Sequence, residues 1–297
     1  MVYSIINMCE FYKNGSCNLR GKDGLCNKYK AREDGLSLRC TGSWSKEKIG
    51  LFKYYAEMFV TGMKNKWEKR YYIDLFAGPG KCIIREDLGE IDSSCLEIIN
   101  LKDKFTKYFL VDKSLSCIKD LKKRVGDDKS AVFLNEDSNL EIKKIIQTIP
   151  ENSLSLAIID PDSLQFHFDN YTELSKCRVD LIVTYPIGPI ERAISSVYKQ
   201  RLKSDILDKF HPEWEKIISK KGWGNSKKEN IRDLIKDYIK KIEKLGYFSS
   251  NLIQPFKNQK NTTLYYLFAF SKSEKGISFW RKATQGMGKK TRQQALF

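Results

Sequence analysis

One run limits this chain more than any other: Tyr72-Ile73-Asp74-Leu75-Phe76-Ala77-Gly78-Pro79-Gly80. An apolar strand runs straight into a loop with two glycines, and a glycine lets backbone approach a ligand where a Cβ would collide. Alone, a Gly-x-Gly loop is equally an ordinary strand-to-helix turn. The rest of the chain supplies the context. Short apolar runs recur at YFLVD (108–112), AVFL (131–134), SLAIID (155–160) and DLIVTY (180–185), separated by the helix-like stretches SLSCIKDLKKRV and NLEIKKIIQTI. Apolar strands without polar alternation, parted by helices, predict a parallel sheet covered on both faces. Two further β-like runs, YFSSNLIQPF and NTTLYYLFAFSK, flank the polar turn KNQKN and predict a closing hairpin. The expected fold is α/β: a Rossmann-like, mostly parallel sheet with a C-terminal antiparallel hairpin.

In such a sheet the ligand crevice lies at the carboxyl ends of the strands, so strand-end residues are the site candidates. Gly78 and Gly80, with Phe76, Ala77 and Pro79 between and before them, would form the loop, and Asp74 stands at the strand end. Asp112 closes the second strand, where a carboxylate can accept from ribose hydroxyls, with Lys113 beside it. It follows Asp74 by 38 residues, longer than a dinucleotide fingerprint needs, so the first crossover must contain an insertion, with REDLGEIDSS as the candidate. Asp137 and Ser138 follow the third strand; Asp137 suits either an adenine amine or a helix N-cap. Asp160-Pro161-Asp162-Ser163 ends the fourth strand and puts carboxylates in the crevice. An acidic side chain followed by Pro can accept from a target amine, but the aromatic residue that stacks on a flipped base is missing from this motif. Phe166, His167 and Phe168, or Tyr185 before Pro186, are the stacking candidates, with ordinary core packing as the alternative. Asp74, Asp160 and Asp162 could alternatively hold Mg²⁺ as a nuclease does. No Gly-x4-Gly-Lys-Ser/Thr stretch exists, which excludes a simple P-loop.

Eight cysteines divide into two sets. Cys82, Cys95, Cys117 and Cys177 are scattered through the apparent core as small hydrophobes. Cys9, Cys17, Cys26 and Cys40 lie in a polar segment, 1–43, that lacks a sustained apolar period. Four thiolates suit zinc or a four-iron cluster, which would order such a segment, although the short Cys-x2–4-Cys knuckle of structural zinc is absent. A helix is expected from an N-cap at Ser45, with Ile49, Phe52, Tyr55, Ala56 and Phe59 on one face.

The net charge of +16 is unevenly placed: residues 201–297 carry 22 Lys and Arg against 9 Asp and Glu, whereas 101–200 balance at 15 each. Clustered cations bind polyanions by releasing condensed counterions, so nucleic acid is the expected partner. Apolar runs such as LYYLFAF are too short to cross a bilayer, and the N-terminus lacks a basic segment leading into an apolar one; a cytoplasmic protein without membrane association is expected.

Trp44-Ser45-x-x-Lys48, YIDLFAGPG, LVDKS, IIDPDSLQFHF, DLIVTYPIG and YLFAFSKSEKGISFW, spread over residues 44–281, together resemble the three-Cys-motif partner protein family, a phage-associated group with a class I S-adenosylmethionine (SAM)-dependent methyltransferase-like fold. The three-Cys motif of that name belongs to the family's usual partner, a protein resembling radical-SAM enzymes. The resemblance implies a methyltransferase-like protein acting on DNA or RNA, or a non-catalytic nucleic-acid-holding partner of the radical-SAM-like protein. It places SAM on Asp74, Gly78 and Gly80, with Asp112 at the ribose, Asp137 at adenine and Asp160 nearest the methyl group. Asp92-Ser93-Ser94-Cys95 departs from the Gly-Ser-Pro expected before the first crossover helix. The expected organisation is a Cys-rich segment (1–43), a methyltransferase-like domain (44–202 and 247–281), a basic helical insertion (203–246) and a basic tail (282–297).

Overall fold

The computed structural model describes residues 9, 12–13, 16–17, 20–21, 23–200, 204–218, 222–224, 227–250, 254–259 and 261–294. The chain begins with a two-residue pair, β1 (Tyr12–Lys13) and β2 (Ser16–Cys17), then β3 (Leu25–Lys30) and β4 (Ser37–Thr41). Helix α1 (Trp44–Met63) follows, then β5 (Lys69–Asp74), the hairpin β6 (Lys81–Ile84) and β7 (Glu90–Asp92), and α2 (Ser94–Ile99). Alternation then sets in: β8 (Lys107–Val111), α3 (Leu115–Val125), β9 (Ala131–Leu134), α4 (Ser138–Thr148), β10 (Ser153–Ile159), α5 (Asp169–Leu174) and β11 (Val179–Pro186). Four helices come next, α6 (Ile187–Gln200), α7 (Asp205–Phe210), α8 (Trp214–Ile218) and α9 (Lys227–Glu243). The end comprises β12 (Phe248–Ser249), β13 (Gln254–Lys257), β14 (Thr263–Ser271) and α10 (Glu274–Gln294).

The main sheet has the order β12-β14-β11-β10-β5-β8-β9, with β13 also paired to β14. β9, β8, β5, β10 and β11 are mutually parallel, and β14 alone runs against its neighbours. This is the expected Rossmann-like methyltransferase fold. From β5 the chain steps outward to β8 and β9, then returns to lay β10 on the other side of β5. That reversal opens a crevice between the carboxyl ends of β5 and β10.

Both faces of the sheet are buried because side chains alternate along each strand. Ile73, Ala157, Leu181, Val183 and Tyr185 join one cluster with α4–α9, while Tyr72, Leu156, Ile158 and Ile182 join another with α1, α2 and α10. Residues 203–246 contribute Leu207, Phe210, Trp214, Leu234 and Tyr238 to the first cluster, so these helices are packed on the sheet. Residues 282–294 of the basic tail form the last part of α10, whose Trp280 meets Tyr55 of α1 edge-on at 5.5 Å between ring centroids. Helix α1 starts at Trp44, two residues earlier than expected, and Ser45 lies inside it with its hydroxyl bonded to that of Thr41. No helix among the described residues is long and apolar enough to cross a membrane.

The long first crossover does contain an insertion, the β6–β7 hairpin, and it has a structural partner. β4 pairs in parallel with β6, giving a second sheet of order β3-β4-β6-β7. The N-terminal segment is thereby woven into the first crossover. It also has an apolar cluster of its own, Cys26, Ala31, Leu38, Cys40 and Ile83. The expected zinc or iron–sulfur site is not borne out: among the described residues no three Cys, His, Asp or Glu stand together as a metal requires. Cys26 and Cys40 serve as core residues, the backbone N–H of Cys9 is tied to the carbonyl of Arg85 at 2.9 Å, and the side chain of Cys17 lies outside the described residues.

Arg124 of α3 locks the small sheet to the large one. Its guanidinium donates to both oxygens of Asp34 (2.8 and 3.0 Å), to the carbonyl of Ser37 (2.8 Å) and to that of Pro79 (2.6 Å), with only 3% of the side chain exposed. Hydrogen bonding to Arg124 is the main cause that holds the Asp34 carboxyl below its ordinary value. Arg124→Ala should therefore cost roughly 1.5–3 kcal/mol, the range of charged hydrogen bonds, in urea unfolding at neutral pH. A depressed carboxyl stabilises above its unfolded pKa of about 3.9 and stops doing so as pH falls through its folded value. The gap between wild type and variant should narrow at pH 3; a gap independent of pH would remove Asp34 from the account.

Candidate active site

Two adjoining cavities occupy the crevice. One, about 430 Å³, is lined by Phe76, Asp112, Lys113, Ser114, Asp137, Ser138 and Gln165 among others. The second, about 340 Å³, is lined by the Ala77–Pro79 loop, Ser93, Ser94, Lys48, Asp160, Pro161, Thr184, Pro186, Arg192 and Tyr265. Arg39, Phe76 and Asp162 border both.

The loop is shaped as the sequence required. Gly78 has φ +66° and Gly80 φ +96°, both in the left-handed region. A Cβ on Gly78 would stand 3.2 Å from Nε of Arg39, and one on Gly80 would stand 3.1 Å from side-chain carbons of Arg124 and Leu121. The N–H of Gly78 donates to Oδ2 of Asp112 at 2.9 Å and that of Ser114 to Oδ1 at 2.8 Å, so the second-strand carboxylate fastens the loop. Ala77 continues the tie through its N–H to the Val111 carbonyl at 2.9 Å.

Asp74 is buried beneath the loop. It accepts from the Tyr72 phenol at 2.9 Å, the N–H of Phe76 at 3.1 Å and the Ser94 hydroxyl at 3.4 Å. Burial raises its pKa to about 6, against the lowering effect of the Tyr72 and Phe76 donors. Asp137 caps α4 through the N–H of Asn139 at 2.9 Å and meets Lys113 at 3.3 Å, while still lining the larger cavity. Ser138 gives its hydroxyl to the carbonyl of Leu75 at 2.6 Å, holding the end of β5.

At the end of β10 the two aspartates diverge. Asp160, on the α1 side of the sheet, accepts from Nζ of Lys48 and from Oγ1 of Thr184, each at 2.6 Å. Asp162 accepts at one oxygen from Arg20 at 2.7 Å and Arg39 at 2.9 Å, and Arg39 reaches on to within 3.6 Å of Asp112. Burial would raise the Asp162 carboxyl, but the charges of Arg39, Arg20 and Lys48 outweigh it and hold the pKa low. Asp162 thus ties the N-terminal segment to the end of β10 while still bordering both cavities. The Mg²⁺ arrangement is not supported: among the described residues Asp74, Asp160 and Asp162 do not stand together as a metal requires.

Tyr185 is a second correction. It is fully buried on the opposite face of β11, its hydroxyl 3.0 Å from Nδ1 of His211 and its ring among Phe210, Tyr238 and Phe268. Strand alternation sends Thr184 to the crevice and Tyr185 to the core. Phe166 is likewise core, edge-on to Tyr171 and Phe76, and Phe168 packs on Tyr171 and Tyr238. Residues that the sequence did not single out for the site are Arg20, Arg39, Thr184, Arg192 and Tyr265. The first two sit in the Cys-rich segment, and no motif marks them. Lys48 belongs to the Trp44-Ser45-x-x-Lys48 run, which gives it no evident role in the sequence alone.

No family model matches the chain, and no curated protein does. Among solved structures it is similar to an O-methyltransferase from Bacillus cereus in complex with S-adenosylhomocysteine, at 9% identity over 74% of this chain and 80% of that one, with a TM-score of 0.41. It is also similar to the fibrillarin pre-rRNA processing protein of Methanococcus jannaschii, at 8% identity over 69% and 67% of the two chains, TM-score 0.37. A Legionella pneumophila protein gives 10% identity over 78% and 89%, TM-score 0.46. The fold assignment rests on the strand order and direction given above.

Because Asp74 keeps its proton to a higher pH when folded than when unfolded, the folded state holds more protons between about pH 4 and 6, and stability falls as pH rises through that window. The effect is on the order of 3 kcal/mol, at about 1.4 kcal/mol per pH unit of displacement. Asp74→Asn should flatten this slope in urea unfolding followed from pH 4 to 7; an unaltered slope would place the titration elsewhere.

Proposed function

We propose that this chain transfers a methyl group from SAM to a nucleic acid. The observation that carries the reading is the crevice at the strand-order reversal, where a positive-φ glycine loop, a strand-end carboxylate and a second strand-end carboxylate border two connected cavities. The residues suit the cofactor. The larger cavity offers Asp112 to ribose hydroxyls and Asp137 to an adenine amine, with Phe76 as an apolar wall. The glycine loop and the N-terminus of α2 would receive the methionine portion, and the buried Nε of Arg39, which has no hydrogen-bond partner, supplies a cation beside the loop. SAM contributes an electrophilic methyl group on sulfur; the protein's part is to hold, orient and exclude water. Nucleic acid is supported by the basic last third and by Arg192, exposed on α6, which lines both the smaller cavity and a groove shared with Lys199 and Lys227.

Calorimetric titration with SAM and with S-adenosylhomocysteine tests the cofactor half. Both should bind in the micromolar range, and Asp112→Ala should weaken them by about tenfold to a hundredfold, since a charged hydrogen bond is worth about 1.5–3 kcal/mol. Failure of either compound to bind the folded protein would sink the reading. Cofactor binding with no transfer to RNA or DNA would favour a nucleic-acid-holding partner of a radical-SAM-like enzyme. In fluorescence anisotropy, affinity for an oligonucleotide should fall steeply as salt rises, because phosphate contacts release counterions; Arg192→Ala should weaken binding and make the salt dependence shallower.

A further inference from the structure

Resting on that reading, we propose that Lys48 and Asp160 select a hydroxyl as the methyl acceptor, which on a nucleic acid makes the substrate RNA, through a ribose 2′-hydroxyl. The floor of the smaller cavity is a three-residue array: the Lys48 ammonium on one oxygen of Asp160 and the Thr184 hydroxyl on the other, each at 2.6 Å. Lys48 comes from α1, Asp160 from the end of β10 and Thr184 from β11, so only the assembled fold creates the array. The ammonium is pinned: its Nζ lies 4.9 Å from the centre of the Tyr265 ring and 5.9 Å from that of Phe52, with 14% of the side chain exposed. Such cation–π contacts leave a fixed direction for the remaining N–H groups. Oη of Tyr265, on a residue that lines the same cavity, is buried without a hydrogen-bond partner.

This array matches a hydroxyl better than an exocyclic amine. A hydroxyl oxygen can accept from Lys48 with one lone pair, give its proton to Asp160, and keep the other lone pair for the methyl carbon. An exocyclic amine has two N–H groups to place and a lone pair delocalised into the ring, and its nitrogen becomes positive on methylation. That charge would develop beside the Lys48 ammonium, where like charges repel. The aromatic surfaces of the cavity are also committed: Trp44 lies under the guanidinium of Arg85 at 4.5 Å, Phe76 meets Phe166 edge-on at a centroid distance of 6.3 Å, and Tyr265 stacks on Phe256 at 5.2 Å. A flipped base would have to share these rings with the contacts they already make, whereas a sugar needs none. In the step, the hydroxyl proton passes to the Asp160 carboxylate and the oxygen lone pair forms the new C–O bond. The bond between the methyl carbon and the sulfonium sulfur breaks with its electron pair left on sulfur, and Asp160 later releases the proton to water.

The test uses the full chain, methyl-labelled SAM, an RNA oligonucleotide of mixed sequence and the DNA of the same sequence. Label is expected in RNA and not in DNA. After complete alkaline hydrolysis it should remain in dinucleotides, because a methylated 2′-oxygen cannot attack the adjacent phosphate. Lys48→Met should lower turnover by about a hundredfold or more, as loss of a group positioning a proton transfer does, while its calorimetric affinity for S-adenosylhomocysteine stays within about threefold of wild type. That retained affinity also shows that the variant is folded. Label in DNA, label in alkali-released mononucleotides, or undiminished turnover by Lys48→Met overturns the proposal while leaving the cofactor reading intact. Cofactor binding with no transfer to either polymer does the same. No binding of S-adenosylhomocysteine by the wild type overturns the cofactor reading and this inference with it.

Discussion

The return of β10 to the side of β5 opposite β8 is the constraint on which the rest of this molecule depends. Two parallel strands whose following segments leave in opposite directions cannot close over their own carboxyl ends, so a crevice is left there. The glycine loop, Asp112 and Asp160 belong to three different strands, and this reversal brings them to one opening. The two buried clusters supply the rigidity behind it: each strand between them is packed on both faces, which fixes the direction of every strand-end side chain. That is why adjacent residues such as Thr184 and Tyr185 have unrelated surroundings, one at a polar crevice and the other among aromatic rings.

Charge is the second organising theme. The crevice holds carboxylates that would repel if left alone, and the chain answers with cations brought from outside the Rossmann-like sheet. Arg20 and Arg39 come from the N-terminal segment, Lys48 from α1. Arg39 spans the divide between the two cavities, touching Asp162 and approaching Asp112. The N-terminal sheet is thus electrostatically part of the crevice, and it is joined by backbone hydrogen bonds to the first crossover through the β4–β6 pairing.

The fold was legible because its signals are local. The apolar runs at 108–112, 131–134, 155–160 and 180–185 became β8, β9, β10 and β11 within a residue or two, and the run before the glycine loop became β5. A strand buried on both faces must be apolar throughout, and a close-approach loop needs glycine; neither depends on distant partners. The N-terminal segment was not legible, for the opposite reason. A polar segment with thiols suggests a metal when it is viewed alone, but β6 and β7 supply it with a sheet and Ile83 with part of a core. Phe166 and Tyr185 went to the core for a similar reason, since a Phe or Tyr near a strand end reads alike whether it faces a ligand or a core.

Sequence by itself determined the alternating α/β architecture, the left-handed glycine loop, the capping role open to Asp137, and the uneven charge that points to a polyanion. Tertiary structure decided which strand-end groups share a space and what each one faces. Asp160 and Asp162 are two residues apart, yet one is joined to Lys48 and Thr184 and the other to Arg20 and Arg39. The physical reason is that the polarity and reactivity of a carboxylate are set by atoms within a few ångströms, and those atoms arrive here from helices and strands far away along the chain.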